Sequence, residues 1–494
     1  MEGIKEKIKK ITLNQWHIAL IVLGIIFISL GAFHSNLWFD ETYSVGIAKH
    51  SFAEIWTIGG NDVHPVLYYW MLHIIFLLTG NSIIAGRVFS IIPIAIMIIL
   101  GYTHIRKDFG EKIGFIFSFL STFLPVMALY AIEMRMYSWA ILAVTILSIY
   151  AYRLSKEDST KNWIIFGISS LVSIFLHYYG LMAAGLINIA LLVHLIRNKR
   201  KTGLIFIISF GILQLITYIP WLMYFVTQLN HVSSGFWIGF EFPNTLFELL
   251  SSQLVGYTEI SVPCVLALEL YAYIIYKTYN LSKDKQDLKP FKIAVGLYFA
   301  VILAAVIMTA VLKTSILYYR YLFVITGLYI FAISFILGKE NNKTIIVSIL
   351  SVIAILGIYN NFKMVKNNYN HANSEPISYM KENIKDDDII VFTGCGVEFT
   401  TAIGFENNQK YYYNKDNWGV EEAYKAYTPN FTVSSKDEVL SNSINRIWVI
   451  DSAYGDLAKS LYGDENRYKE ISEKQFFTTY HNSSWKITLI ETSN

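Results

Sequence analysis

Long apolar runs separated by short polar blocks fill the first 360 residues, and the polar blocks are too brief to be domains. Runs at 16–33, 83–105, 113–131, 137–153, 162–176, 181–196, 203–220, 261–278, 291–312, 321–337 and 344–360 predict eleven helices suited to about 30 Å of hydrocarbon. A twelfth stretch, HPVLYYWMLHIIFLLTG at 64–80, is apolar too, but counting it as a span would invert every later loop. It reads as a helix lying at the interface, with Tyr68, Tyr69, Trp70 and His73 at headgroup level. The outer loop that holds it then runs over 34–82. After residue 360 the pattern changes to short β-rich pieces (IIVFTG, RIWVID, WKITLIE) among polar segments, which predicts a small soluble α/β or α+β domain over 361–494. The fold class expected is an α-helical polytopic membrane protein, residues 1–360, with that domain appended.

Composition agrees: 54% hydrophobic residues and a mean hydropathy of +0.42 exceed what a soluble chain of 494 residues carries, and 16% charged residues fall below it. The N-terminal MEGIKEKIKK and the apolar run after it resemble a secretory signal, but the length and the lack of a small-residue cleavage site favour a retained anchor. Net charge is only +3, so no basic field suited to nucleic acid is present. Lysines and arginines instead cluster in alternate loops, twenty-one on one side against five on the other (Lys49, Arg87, Arg135, Lys313 and Arg320). The rich side is cytoplasmic by the positive-inside rule, which puts the N-terminus inside and the 361–494 domain outside. The five outer cations are exceptions to a topology rule and so candidates for function. Two cysteines, Cys264 and Cys395, exclude a disulfide framework, and GCG at 394–396 is too short to read as a phosphate loop.

Candidate chemistry lies on that outer side. Asp40 and Glu41 sit in LWFDETYS. Such a carboxylate can solvate a loop, cap a helix or pair with an arginine, but aromatic flanks desolvate it, raise its basicity and suit it to take a proton from a hydroxyl. Asp62 and His64 follow in NDVHPVLYYW, where Pro65 fits a first helical turn; Asp62 as a plain cap with an interfacial histidine is the competing reading. Asp, His and Glu here allow a metal site, though no ligand spacing supports one. Glu133 and Arg135 can pair or cap helix ends, or Arg135 can hold an anion. At His177, Tyr178 and Tyr179 the competing reading is an aromatic belt. Arg320, with Lys313, Tyr318 and Tyr319, offers a planar fork for a phosphate at the headgroup plane, or simply snorkels. Trp237, in the outer loop placed after Pro220, can cover a sugar or rest at the interface. Glu269 falls mid-span and receives no role.

The segments LWFDETYS, DVHPVLYY, EMRMYSW, HYYG, YIPWL, SSGFW and YRYLF, in this order and spacing, resemble the GT-C superfamily of integral-membrane glycosyltransferases, in the branch of protein O-mannosyltransferases and the aminoarabinose transferase of lipid A. The resemblance covers the membrane half and only weakly the tail. It implies a polyprenyl-phosphate sugar as donor and transfer at the outer face by a hexosyl- or pentosyltransferase of the cell envelope, in a prokaryotic plasma membrane. It assigns Asp40 as base with Glu41 as companion. To the lipid-phosphate and sugar site it assigns His64, Arg135 and Arg320, with Glu133, Tyr137, His177 and Tyr319 in the matching motifs; Asp62 and Trp237 become acceptor contacts. Val66, where relatives often have a second proline, and His64, where some have lysine before the prolines, depart from the pattern.

Chemistry fits that implication. With a phosphate as leaving group, cations stabilise the departing charge, one carboxylate deprotonates the acceptor, and attack from the opposite face inverts the anomeric carbon. No second carboxylic acid is needed. An arginine can replace a metal, so no cofactor is required, although a divalent cation is not excluded. The acceptor is a protein, lipid or glycan, and membrane lipids are the other expected partners. Two rivals share the hydrophobic pattern: a transporter or flippase, which would show inverted repeats, and a receptor whose tail binds a ligand.

Overall fold

A computed structural model describes residues 12–254, 261–392, 404–405, 407–412, 426, 431–433, 446–452, 457–462, 468–478 and 483–492. They form two compact units, one of Met1–Ala32, Val63–Tyr68 and Arg87–Met364, the other of Phe33–Asp62, Tyr69–Gly86 and Val365–Asn494. The N-terminal lysines, GCG and Cys395 lie outside the described residues.

The first unit is helical. Its helices are α1 (Leu13–Ser29) and, after α2, α3 and α4 described below, α5 (Ile83–Phe109), α6 (Glu111–Phe123), α7 (Pro125–Ile132), α8 (Tyr137–Lys156), α9 (Thr160–Leu176) and α10 (Tyr178–Arg197). Then come α11 (Lys201–Ser234), α12 (Asn244–Ser251), α13 (Ser261–Lys283), α14 (Lys289–Leu312), α15 (Tyr319–Gly338, opening with a 3-10 stretch) and α16 (Lys343–Asn368). Among the described residues seven helices are long and apolar enough to cross a membrane, eight if α6 and α7 count as one span bent by 62°. The eleven expected spans are therefore too many by that measure: α1 and α9 stop at 17 residues, and α13 carries Glu269 and several tyrosines in its interior. The α6/α7 bend has a local cause, since Leu124 takes the extended backbone that a following proline demands.

Large apolar side chains cover the outside of this unit. On α11, Ile205, Leu215, Ile219 and Met223 are each more than 60% exposed, a surface that lipid tolerates and water does not. The chain is a multi-pass membrane protein. At the ends of the bundle, basic-block arginines are held by acids: Arg153 reaches Asp108 with two nitrogens at 2.8 and 3.2 Å, and Arg200 meets Asp158 at 2.7 Å. Pro220 lies inside α11, which runs on to Ser234, so Trp237 follows the helix directly and not a long loop after Pro220.

In the second unit, α2 (Phe39–Ile47), α3 (Phe52–Gly60) and most of α4 (Leu67–Thr79) are stitched by aromatic side chains. Trp56 stacks on Trp70, Phe52 meets His73 edge-on at 4.6 Å, Trp70 donates to the Phe52 carbonyl, and His73 contacts the Ala48 carbonyl at 2.8 Å. A reciprocal capping box between Ser51 and Glu54 starts α3. Thirteen residues make α4 about 20 Å long, too short to span.

Beyond α17 (Glu375–Asn383) the chain forms a six-stranded sheet: β1 (Ile389–Phe392), β2 (Lys410–Tyr412), β3 (Phe431–Val433), β4 (Arg446–Ser452), β5 (Tyr468–Thr478) and β6 (Ser483–Thr492), with α18 (Leu457–Tyr462) after β4. The order is β3-β2-β1-β4-β6-β5, parallel from β3 to β4 and antiparallel beyond. Ile389, Val391, Ile447, Val449, Leu457 and Ile490 pack its core. Buried Asp388 takes hydrogen bonds from Arg446 and from the Trp448 indole at 2.9 and 2.7 Å, tying β1 to β4.

Candidate functional site

Five helix ends and one irregular segment of the first unit bring polar side chains together. Between α7 and α8 the backbone turns sharply, the Arg135 amide bonding the Glu133 carbonyl at 2.7 Å, and both side chains are buried. Arg87, buried on α5, donates to the Ile132 carbonyl at 3.1 Å and braces that turn. Between α9 and α10 the chain extends at His177, and Gly180 allows the return, because a Cβ there would press on the Ser173 backbone carbonyl. The start of α15 adds Tyr319, Arg320 and Tyr321.

These elements converge on His177. Its ring lies 5.6 Å from Tyr137, 5.5 Å from His64, 5.0 Å from Tyr321 and 5.9 Å from Tyr179, centroid to centroid. Arg320 lies over the rings of Tyr137 and Tyr318, at 6.0 and 5.5 Å. Tyr318 in turn contacts Tyr319, Tyr321 and Trp237. The charges of Glu133 and Arg320 both act on Tyr130, which fixes Glu133 near the same cluster.

The protonation of His177 follows from its neighbours. Its Nδ1 accepts the Tyr179 amide at 3.1 Å, so the ring proton belongs on Nε2. That Nε2 is buried with no hydrogen-bond partner among the described residues. Burial, then the nearby His64 and Arg135, hold the pKa of this turn residue well below the ordinary histidine value. The imidazole is therefore a neutral N–H donor. It lines a cavity of about 300 Å³ whose other walls are mainly apolar, including Met182, Phe225, Leu229, Met308 and Leu312. Such a space accepts an aliphatic chain with a hydrogen-bond acceptor at one end.

Seven nominated residues (His64, Arg135, Tyr137, His177, Tyr319, Arg320 and Trp237) thus belong to one connected cluster, with Glu133 coupled to it through Tyr130. Tyr178 is no plain belt residue: its hydroxyl donates to Gln228 and accepts the Trp221 indole at 3.2 Å, locking α10 to α11. The residue that sequence reasoning passed over is Tyr321, which contacts His64, His177, Tyr179 and Tyr318; it stood inside YRYLF, where Arg320 drew the attention. His64 corrects one expectation. α4 begins at Leu67, so Pro65 lies ahead of the helix and not in its first turn, and Asp62 is too far upstream to cap it.

Asp40, Glu41 and Asp62 belong to the second unit. Asp40 and Glu41 occupy the first turn of α2, so both carboxylates lie at a helix N-terminus, where the helix dipole favours negative charge. Asp40 is half-buried and Glu41 buried. Among the described residues no group of three or more His, Cys, Asp or Glu side chains could hold a metal ion.

Residues 63–224 match the family model described as dolichyl-phosphate-mannose-protein mannosyltransferase. The whole fold is similar to the crystal structure of ArnT from Cupriavidus metallidurans bound to undecaprenyl phosphate, with a TM-score of 0.59, 12% identity, and 96% of this chain and 98% of that one covered. The apo structure of the same protein matches with a TM-score of 0.59 at 10% identity, covering 96% and 97%. A search of curated proteins finds no match. Over 96% of its length the chain therefore shares the fold of that ArnT structure.

Proposed function

We propose that this protein transfers a sugar from a polyprenyl-phosphate carrier to an acceptor hydroxyl at the outer face of the membrane, with inversion at the anomeric carbon. The observation that carries the reading is the 300 Å³ apolar cavity ending in the neutral His177 N–H donor, inside a cluster that also holds Arg135 and Arg320. An isoprenoid chain fits the apolar walls, and a phosphate fits the polar end. The undecaprenyl phosphate bound to the similar ArnT fold supports that class of ligand.

In this reading Asp40 takes the acceptor proton and Glu41 is its companion. The acceptor oxygen then bonds to the anomeric carbon, and the bond to the phosphate oxygen breaks with its electron pair. Arg135 and Arg320 stabilise the charge left on the phosphate, and His177 hydrogen-bonds it without adding charge. Trp237 and Asp62 contact the acceptor. The short α4 lies in the headgroup layer, and the basic loops face the cytoplasm.

Purified protein in vesicles with a polyprenyl-phosphate sugar tests this directly. It should release polyprenyl phosphate in proportion to sugar transferred, and Asp40→Asn should slow that release by about 10²–10⁴-fold while melting like the wild type. Full turnover by the variant would remove Asp40 as the base, and no release by the wild type with any such donor would remove the reading itself.

A further inference from the structure

A second cavity, of about 420 Å³, opens between α13 and α16, and Glu269 lines it. The structure changes how deep this carboxylate sits. Glu340, in the loop between α15 and α16, accepts the Tyr273 hydroxyl at 2.8 Å and pairs with Lys277 at 2.8 Å, which sets that loop level with the Tyr273–Lys277 turn of α13. Glu269 is one helical turn from Tyr273, about 6 Å. At that turn and just past it, α13 carries exposed Tyr276 and Tyr279, with Lys283 over the Tyr279 ring at 4.5 Å, as helices do at a headgroup plane. Glu269 thus lies just inside one membrane boundary and not in mid-bilayer.

Its surroundings are incomplete. Glu269 is exposed and meets no cation or hydrogen-bond donor among the described residues, and the cavity lining contains no lysine or arginine. Across the cavity, Thr344 and Ser348 lie one turn apart on α16, and neither hydroxyl has a partner among the described residues. Ser148, Ser169, Ser173 and Ser334, on other helices, satisfy theirs at the carbonyl four residues back. Ile349, Val352, Ile353, Leu356 and Leu266 continue the cavity as an apolar wall. A carboxylate, facing hydroxyls and an alkyl wall at one leaflet boundary complement an ammonium, a phosphate and acyl chains, in that arrangement.

We propose that this cavity binds one phospholipid with a primary ammonium headgroup, its ammonium on Glu269 and its phosphate on Thr344 and Ser348. The carboxylate discriminates: it attracts a zwitterionic headgroup and repels a purely anionic one. The site is apart from the His177 cavity, so lipid retention is independent of the transfer reaction.

The test uses the full chain in nanodiscs of phosphatidylglycerol containing phosphatidylethanolamine, with retained lipids read by native mass spectrometry. Wild type should keep one phosphatidylethanolamine in preference to phosphatidylglycerol. Glu269→Gln should lower that retention at least tenfold, and Ser348→Leu, which fills the cavity from the opposite helix, should do the same. Equal retention of the two lipids by wild type, undiminished retention by both variants, or a co-purifying membrane protein seated there instead would overturn the proposal.

Discussion

At His177 one backbone amide decides the chemistry. Because Tyr179 N–H occupies Nδ1, the ring presents Nε2–H to the cavity, and burial keeps it uncharged. Two outcomes follow for the transfer reaction. In the proposed reaction His177→Phe would remove a hydrogen bond to a charged phosphate, worth about 1.5–3 kcal/mol, so the Michaelis constant for the lipid donor should rise roughly 10–100-fold. The sign of the pKa shift sets the second. A histidine held well below its ordinary value stays neutral throughout the range around pH 6–7, so the wild-type rate profile should show no acid limb from this residue near pH 6.5. Arg320 differs, since its guanidinium is charged at every working pH. Arg320→Ala should weaken donor binding by a comparable factor and leave acceptor binding unchanged, as initial rates with each substrate varied in turn would show.

At the scale of elements, the α9/α10 turn positions this histidine, and Gly180 makes the turn possible. Gly180→Ala puts a methyl group against the Ser173 carbonyl, a backbone atom unable to step aside. A cost of about 1–3 kcal/mol is expected, read as a lower melting temperature in detergent, together with a raised Michaelis constant because the N-cap of α10 is His177 itself. Period and charge made most helices readable in the sequence: a run of apolar residues flanked by lysines has few alternatives. Less legible was where a helix ends when lipid, and not water, surrounds it. Pro220 costs α11 one backbone bond yet does not stop it, and the helix runs to Ser234. In the sheet domain, three apolar strands stood out in the sequence. β2 and β5, rich in lysine, tyrosine and glutamate, and β3, only three residues long, did not, because their pairing comes from neighbouring strands. The cluster around His177 was legible as a set of motifs, while Tyr321 emerged only when four rings, those of His64, His177, Tyr179 and Tyr318, met on it.

For the molecule as a whole, the two units carry different physics. The helical unit hides its backbone and shows alkyl groups to lipid, whereas the sheet rests on a small aliphatic core with charged groups set into it. Lys410 is the extreme case. Fully buried on β2, its ammonium donates to the Phe405 and Asn408 carbonyls, and burial, with some repulsion from Lys49, lowers its pKa from the ordinary 10.5 to about 8. Between those values the unfolded chain binds the proton that the folded one has lost, so stability rises with pH across that window. Below about pH 8 both forms are charged and the burial penalty is constant. The gain from pH 8 to 10.5 is at most about 3 kcal/mol. It should appear as slower native-state hydrogen exchange of β1 and β4 amides, after correction for the intrinsic pH dependence, and should vanish in Lys410→Met. Amides of α8 and α15, in the other unit, have no such lysine and should show no matching change. A shift of equal size in those helices would mean that the two units unfold as one cooperative body, and the stability of the sheet could then not be reasoned from its own core.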